Sequence, residues 1–116
     1  MKDFDYDALD PGIRFTVKWL HERGFTTTDS GDGSKAGEME GALDIPHVAI
    51  KPGGGEHEYP SAINMAHLAQ QTANRLSDEL WKDGFLVEPG TIQATYDPAD
   101  SSWAIMLYAA LENPDD

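Results

Sequence analysis

The first helical pattern in the chain follows residue 10, where apolar side chains recur every three or four residues. They are Ile13, Val17 and Leu20. Asp10 stands in the N-cap position and Pro11 at the first helical position, where its missing N–H is not needed. Gly24 suits the left-handed residue that follows a helix end. The pattern predicts a first helix that begins at Pro11 and ends before Gly24.

A longer segment with helical periodicity runs from about Ser61 to Asp83 and is followed by Gly84. Its apolar stripe is rich in alanine: Ala62, Ala66, Ala69, Ala73, Leu76 and Leu80. Small side chains let a helix sit close to a sheet. We therefore expect this second helix to be the main support of the core.

Four segments combine β-branched and aromatic residues and are bounded by turn residues. They are Phe25–Thr28, Ile45–Lys51, Phe85–Val87 (interrupted at Glu88–Gly90 and resumed at Thr91–Tyr96) and Trp103–Ala110. Each helix leads through Gly-Phe into two strands. The predicted fold class is α+β, with two helix–strand–strand units in a mainly antiparallel four-stranded sheet and the helices on one face. Residues 9–112 form the domain, residues 1–8 an acidic tail or edge strand, and residues 113–116 a polar tail.

The charge balance narrows the classes of partner. The 116 residues include 21 acidic and 8 basic side chains, for a formal net charge of −13. Nucleic acid and anionic membranes are bound through Lys and Arg, so we expect neither as a partner. The chain has no Cys, which excludes disulfides and thiolate metal sites. The sequence shows neither an apolar run of roughly 18 residues, the length of a membrane span, nor a signal-peptide pattern. The expected location is therefore the cytoplasm.

The two-unit topology predicts that polar segments meet at one end of the sheet. If the strands after Phe25 and Phe85 both start beside the helix C-termini, both finish at the opposite end. The turns Asp29–Ser34 and Asp97–Ser102 would then lie together near the helix N-termini. Helix N-termini carry unpaired N–H groups and partial positive charge, which favour phosphate.

These segments supply the predicted ligand-binding residues: Arg14, Asp29, Ser30, Asp32, Gly33, Asp97, Asp100 and Trp103. Arginine suits a phosphate in forked geometry, and glycine lets the backbone approach a ligand. The carboxylates can accept hydrogen bonds from ribose hydroxyls or base amines, or bind a hard cation. Trp103 is the aromatic residue placed to stack on a base. The set indicates a nucleotide-like ligand.

The same residues have a purely structural interpretation. Asp and Gly are ordinary turn residues, and Arg14 would then pair with Asp10 or Asp97. As a further alternative, Mg²⁺ in a phosphoester hydrolase could be held by four carboxylates: Asp29, Asp32, Asp97 and Asp100. The chain shows no EF-hand, zinc-site, P-loop or nucleophile-elbow spacing. We therefore predict a non-enzyme without catalytic residues, metal or cofactor.

Four motifs together resemble those of a family of small uncharacterised proteins of bacteriophages and prophages. They are Asp10–Arg14 (DPGIR), Asp29–Gly33 (DSGDG), Ile45–Val48 (IPHV) and Tyr96–Asp100 (YDPAD). The resemblance covers most of residues 9–112. In size and setting that family is similar to phage anti-defence sponges of the anti-Thoeris type, which sequester cyclic ADP-ribose isomers. No ligand residue transfers from them, and the resemblance implies a viral, cytosolic, non-enzymatic binder.

The leading interpretation is a phage-type protein that binds and sequesters a nucleotide-derived immune signal without turnover. The signal would be a cyclic nucleotide or a cyclic ADP-ribose isomer. The rivals are the metal-dependent hydrolase and an acidic protein–protein inhibitor that mimics nucleic acid. Three Trp and four Tyr exceed what one thin core layer needs, which favours a homo-oligomer.

Overall fold

The computed structural model describes residues 5–33, 45–54, 62–99 and 101–112. The regular elements of these residues are 3-10 turns at Tyr6–Ala8, Pro11–Ile13 and Pro52–Gly54, helices α1 (Arg14–Glu22) and α2 (Ala62–Lys82), and strands β1 (Thr27–Gly31), β2 (His47–Ile50), β3 (Ile92–Asp97) and β4 (Ser102–Leu107). Both predicted helices are confirmed. Neither helix in the described part of the chain is long and apolar enough to cross a membrane.

The four strands form one sheet in the order β1-β2-β4-β3, with antiparallel pairing throughout. β1 and β3 are therefore the two edges. We name the two ends of the sheet by their residues. At the Gly31 end, Gly31 pairs with His47, and at the Asp97 end, Asp97 pairs with Ser102. The predicted α+β class is confirmed.

One face of the sheet carries the core and both helices. Val48 and Ile50 on β2, and Ile105 and Leu107 on β4, alternate along their strands and are fully buried. They form a single cluster with buried residues of the helical segments: Ile13, Val17, Trp19, Leu20, Ala69, Ala73, Leu76 and Leu80. The last four belong to the predicted stripe of α2, which packs against β3 and β4.

The start of the first helix differs from the prediction. Asp10 precedes a 3-10 turn and its side chain makes no capping hydrogen bond there. The N–H of Gly12 donates instead to Oδ2 of Asp32, at 3.1 Å. The N–H of Asp32 donates in turn to Oδ2 of Asp10, at 3.4 Å. Two carboxylates thus join the helix start to the segment after β1.

Both helices end at the predicted glycines. Gly24 and Gly84 have positive φ angles of 84° and 83°. The N–H of the phenylalanine after each glycine donates to a carbonyl oxygen of the last helical turn, at 3.1 Å for Phe25 and 3.0 Å for Phe85. The Gly-Phe repeat in the sequence therefore marks two helix ends of the same geometry.

The third strand begins later than predicted. Phe85–Val87 form no strand, and β3 starts at Ile92, after a turn in which Gly90 has a φ of 87°. The side-chain amide of Gln93 donates to the carbonyl oxygen of Gly90, at 3.1 Å, which fixes this turn. Phe85 and Val87 pack against the core instead of pairing in the sheet. The helices of the two helix–strand–strand units end in the same way. The first strand then begins soon after its helix, whereas β3 begins only after a further non-strand segment.

The described part of the N-terminal segment is neither a strand nor a loose tail. Tyr6–Ala8 form a 3-10 turn, and Tyr6 and Leu9 pack against the core cluster. Residues 1–4 and 113–116 of the predicted tails lie outside the described residues.

Candidate functional site

The predicted meeting of the Asp29 and Asp97 turns does not occur. β1 runs to Gly31, and β2 returns from there to Ile50. β4 is antiparallel to β2, so it starts at the end of the sheet where Ile50 lies. Its first residue, Ser102, pairs with Asp97 at that same end. The two turns lie at opposite ends and on opposite edges of the sheet, and the prediction of one shared site is wrong.

The direction of β3 explains the error. The sequence pattern predicts that the third strand starts at Phe85, directly after α2. In the structure the non-strand segment 85–91 first carries the chain to the Gly31 end, where Ile92 pairs with Leu107. β3 therefore runs opposite to the predicted direction, and the turn that follows it lies at the other end.

The predicted site residues near the Gly31 end lie in β1 and in the segment that follows it. Asp29 and Ser30 belong to β1 rather than to a turn. The Asp29 carboxylate is 77% exposed and lies 3.9 Å from Nε2 of the buried His47. Asp32 accepts the Gly12 N–H described above, and Gly33 has a φ of 87°, the left-handed conformation that glycine adopts readily.

Arg14 holds the N-terminal segment. Its Nε donates to the carbonyl oxygen of Leu9 at 3.1 Å, and its Nη2 donates to that of Asp7 at 3.0 Å. Asp97, one of its two expected partners, lies at the other end of the sheet. Arg14 therefore has a structural role, in which the acceptors are backbone carbonyls and not Asp97.

The Asp97 end carries two aromatic rings in contact. Tyr96 on β3 and Trp103 on β4 are paired across the strands. Their ring centroids are 5.3 Å apart, with an angle of 51° between the ring planes. Trp103 packs against the core, whereas Tyr96 is 47% exposed. The pair therefore offers a fixed aromatic surface that reaches solvent.

Asp97 follows this aromatic pair directly. Its Oδ1 accepts a hydrogen bond from the N–H of Ala99, at 2.9 Å, which stabilises the turn. A carboxylate can accept about four hydrogen bonds, so Asp97 keeps capacity for a donor on a ligand. Asp100 lies outside the described residues.

A glycine-containing turn reaches the same end of the sheet. The turn Pro52–Gly54 follows β2 and packs against β4 and α2. Continuing the β2–β4 register places its first residue level with Trp103. The N–H of Gly53 donates to Oγ1 of the buried Thr72, at 2.7 Å, so α2 fixes the turn. The exposed Lys51 precedes it and places a basic side chain at this end.

Two of the eight predicted ligand residues, Asp97 and Trp103, thus lie at the same end of one hairpin. Tyr96 and the turn Pro52–Gly54 are additions that sequence reasoning missed as site residues. The signal for Tyr96 was present, because a hairpin closed by the turn Asp97–Ser102 must pair Tyr96 with Trp103. Nothing local in the sequence indicates that Pro52–Gly54 lies beside this hairpin.

The four aspartates of the hydrolase interpretation do not form one group. Asp29 and Asp32 lie toward the Gly31 end, Asp97 lies at the opposite end, and Asp100 is outside the described residues. In the part of the chain that the structure describes, no three His, Asp or Glu side chains are placed to hold one metal ion. The hydrolase interpretation loses its geometric basis.

A hydrogen-bonded chain of side chains links the N-terminal segment to β1. The Tyr6 hydroxyl lies 2.9 Å from Nδ1 of His21, and Nε2 of His21 lies 2.8 Å from Oγ1 of Thr27. Burial lowers the pKa of His21. Burial and then the Glu22 carboxylate raise the pKa of Tyr6. Both shifts favour the neutral forms of the two side chains.

We expect stability to fall in mild acid because of His21. Below the ordinary histidine pKa of about 6.5, the unfolded chain binds a proton at this position before the folded protein does, so lower pH favours unfolding. Urea unfolding at about pH 7 and about pH 5 measures the loss. His21→Gln should lose less stability between these two pH values than the wild type, and the exposed His67→Gln should behave as the wild type. Equal losses in all three proteins would contradict the assignment.

No protein-family model, curated protein or solved structure matches the chain.

Proposed function

We propose that this protein binds and sequesters a small nucleotide-derived molecule at the Asp97 end of the sheet. The observation that carries the proposal is the aromatic pair of Tyr96 and Trp103 at the Asp97 turn, in which the Tyr96 ring is 47% exposed. Aromatic rings stack on any base through their π faces, and each such contact contributes about 1–3 kcal/mol. A pair braced by the core is ready to stack without further ordering.

Other polar groups at the same end of the sheet suit the rest of a nucleotide. The Asp97 carboxylate suits ribose hydroxyls or base amines. Lys51 offers a positive charge for a phosphate. Gly53 lets the backbone of its turn approach a ligand without a Cβ in the way. This set replaces the predicted one, in which Arg14 was to hold the phosphate.

The resemblance to small phage proteins supports an immune signal as the ligand, either a cyclic nucleotide or a cyclic ADP-ribose isomer. Sequestration requires tight binding and no chemistry, which agrees with a sequence that shows no specific catalytic motif. The ligand should therefore leave the protein chemically unchanged.

The test is to incubate the protein with a panel of cyclic nucleotides and ADP-ribose isomers, remove unbound compound, and release bound compound by heat. Mass spectrometry should recover one panel member intact. Tyr96→Ala should weaken binding of that compound by roughly 10- to 100-fold, the loss of one stacking contact.

Two control variants separate this site from the rest of the surface. Asp29→Asn changes a residue of β1, on the opposite edge of the sheet, and should retain wild-type affinity. Trp81→Ala, which removes a 73% exposed ring on α2, should retain it as well. Recovery of a hydrolysed product would contradict sequestration. An undiminished affinity in Tyr96→Ala would contradict the location.

A protein partner is the second candidate, and one observation favours it. Trp81 and Leu86 are 73% and 77% exposed on either side of the Gly84 turn. The exposed acids Asp78 and Glu88 lie close to them in sequence. Such a surface suits an inhibitor of a basic protein, and its complex would weaken steeply with salt. Trp81→Ser would disrupt that complex, whereas Tyr96→Ala would leave it unchanged.

A further inference from the structure

β3 is an edge strand with a regular backbone. In the described part of the chain, β4 is the strand that pairs with it, through six consecutive residue pairs from Ile92 to Asp97. The strand contains no proline, no lysine and no bulge, and its one charged residue is Asp97 at its end. Natural sheets commonly use prolines, lysines and bulges to block pairing at an edge.

The opposite edge of the sheet is protected in this way. The register of β1 shifts between Thr27 and Asp29, which marks an irregularity in the strand. Asp29 also places a largely exposed carboxylate in the middle of β1. The two edges of one small sheet therefore differ, and β3 is the edge suited to pairing.

The hydrogen bonds between β3 and β4 show which backbone groups of β3 point outward. The N–H of Tyr108 donates to the carbonyl oxygen of Thr91, its direct partner in the continued register, at 2.8 Å. Hydrogen-bonded pairs alternate along an antiparallel ladder. The carbonyl oxygen of Thr91 and the backbone groups of residues 93, 95 and 97 therefore face β4, and those of Ile92, Ala94 and Tyr96 face away from it.

We propose that a second copy of this chain pairs with the outer edge of β3, antiparallel and centred on Ala94. In this register Ala94 opposes Ala94 of the second copy, and Ile92 opposes its Tyr96. Three such pairs, each with two bonds, give about six backbone hydrogen bonds. The sheet becomes a continuous one of both copies.

The side chains are complementary in this register, which is why a second copy is the occupant. The pair of Ile92 and Tyr96 is a β-branched residue against an aromatic one, a favourable cross-strand pair. It covers part of the ring that is 47% exposed in a single copy. On the other face Gln93 opposes Thr95, and Asp97 opposes Thr91. No two like charges are directly opposed in this register, and an edge that pairs with itself must avoid such contacts.

Amide hydrogen exchange, followed residue by residue by NMR, tests this interface. Protection at the amides of Ile92, Ala94 and Tyr96 should rise by roughly tenfold or more as the protein concentration increases from about 10 μM to about 1 mM. The amides of Gln93, Thr95 and Asp97 face β4 and should be equally protected at all concentrations. Light scattering on the same samples should show the mass rise from 12.7 kDa toward twice that value.

Two matched double variants test the register. Gln93→Glu with Thr95→Glu places like charges opposite each other at two positions of the interface, and should yield monomer. Gln93→Lys with Thr95→Glu places opposite charges there and should retain the dimer. Because each copy carries a charge of −13, the wild-type dimer should strengthen with moderate salt.

Three results would overturn the proposal. The first is a monomer at all concentrations, with rapid or concentration-independent exchange at the three outward amides. The second is a dimer in which those amides exchange rapidly, since its interface would lie elsewhere. The third is equal dimerisation of the two double variants. Because this interface covers part of the same Tyr96 ring, ligand recovery at the low end of this concentration range tests the ligand site separately.

Discussion

Leu76→Asp should unfold the domain. Leu76 is fully buried in α2, within the cluster that joins both helices to the sheet. An ionised carboxylate at this position would be desolvated without a partner, at a cost of about 5 kcal/mol or more, comparable with the roughly 5–15 kcal/mol by which such domains are stable. Circular dichroism should show a loss of the cooperative thermal transition.

Asn74→Asp is the matched control for this change. Asn74 is exposed on the same helix, so a carboxylate there stays in water and should change the unfolding free energy by less than about 0.5 kcal/mol. If Leu76→Asp kept the wild-type melting temperature, the packing of α2 described here would be wrong.

Trp19→Ala should cost about 3–5 kcal/mol, the usual range for a large aromatic residue removed from a core. Trp19 is 4% exposed, and its ring meets Phe85 edge-on, with centroids 5.8 Å apart. Its Nε1 donates to Oδ2 of Asp83 at 2.7 Å. The Arg23 guanidinium lies over the ring, 4.0 Å from its centre, and also pairs with Asp83. One side chain thus joins the C-terminal ends of α1 and α2.

Chemical denaturation of two further variants separates the contributions at this joint. Trp19→Phe keeps most of the volume but loses the hydrogen bond, and should cost less than Trp19→Ala. Trp81→Ala removes an exposed ring near the end of α2 and should be nearly neutral. A similar loss of stability in Trp19→Ala and Trp81→Ala would contradict the difference in burial between the two tryptophans.

The elements of this fold follow from local patterns. Helical spacing, the glycines at 24 and 84 and the alanine stripe of α2 are properties of short windows, and all appear in the structure. The direction of β3, by contrast, does not follow from a short window of sequence. It depends on whether Phe85–Val87 pair in the sheet or pack against the core, and both outcomes satisfy the same apolar side chains.

This ambiguity about the start of β3 determines at which end of the sheet the Asp97 turn is predicted to lie. With β3 running from Phe85, the Asp97 turn joins the Asp29 turn; with β3 starting at Ile92, it lies at the opposite end. The role of Asp32 was also beyond local reasoning, since its carboxylate bonds to a backbone amide 20 residues away. Asp97 and Trp103 lie at the same end of the sheet, as predicted, because they flank a single hairpin turn, whose geometry is local.

The location of the ligand site is the central claim, and chemical-shift mapping tests it most directly. Each cyclic nucleotide and cyclic ADP-ribose isomer would be titrated into ¹⁵N-labelled protein, followed through backbone amides and indole N–H groups. One compound should shift Tyr96, Asp97, Gly53 and the Trp103 indole, and leave Arg14, Asp29 and Asp32 unchanged. Shifts confined to the Gly31 end, or none with any compound, would contradict the proposed site.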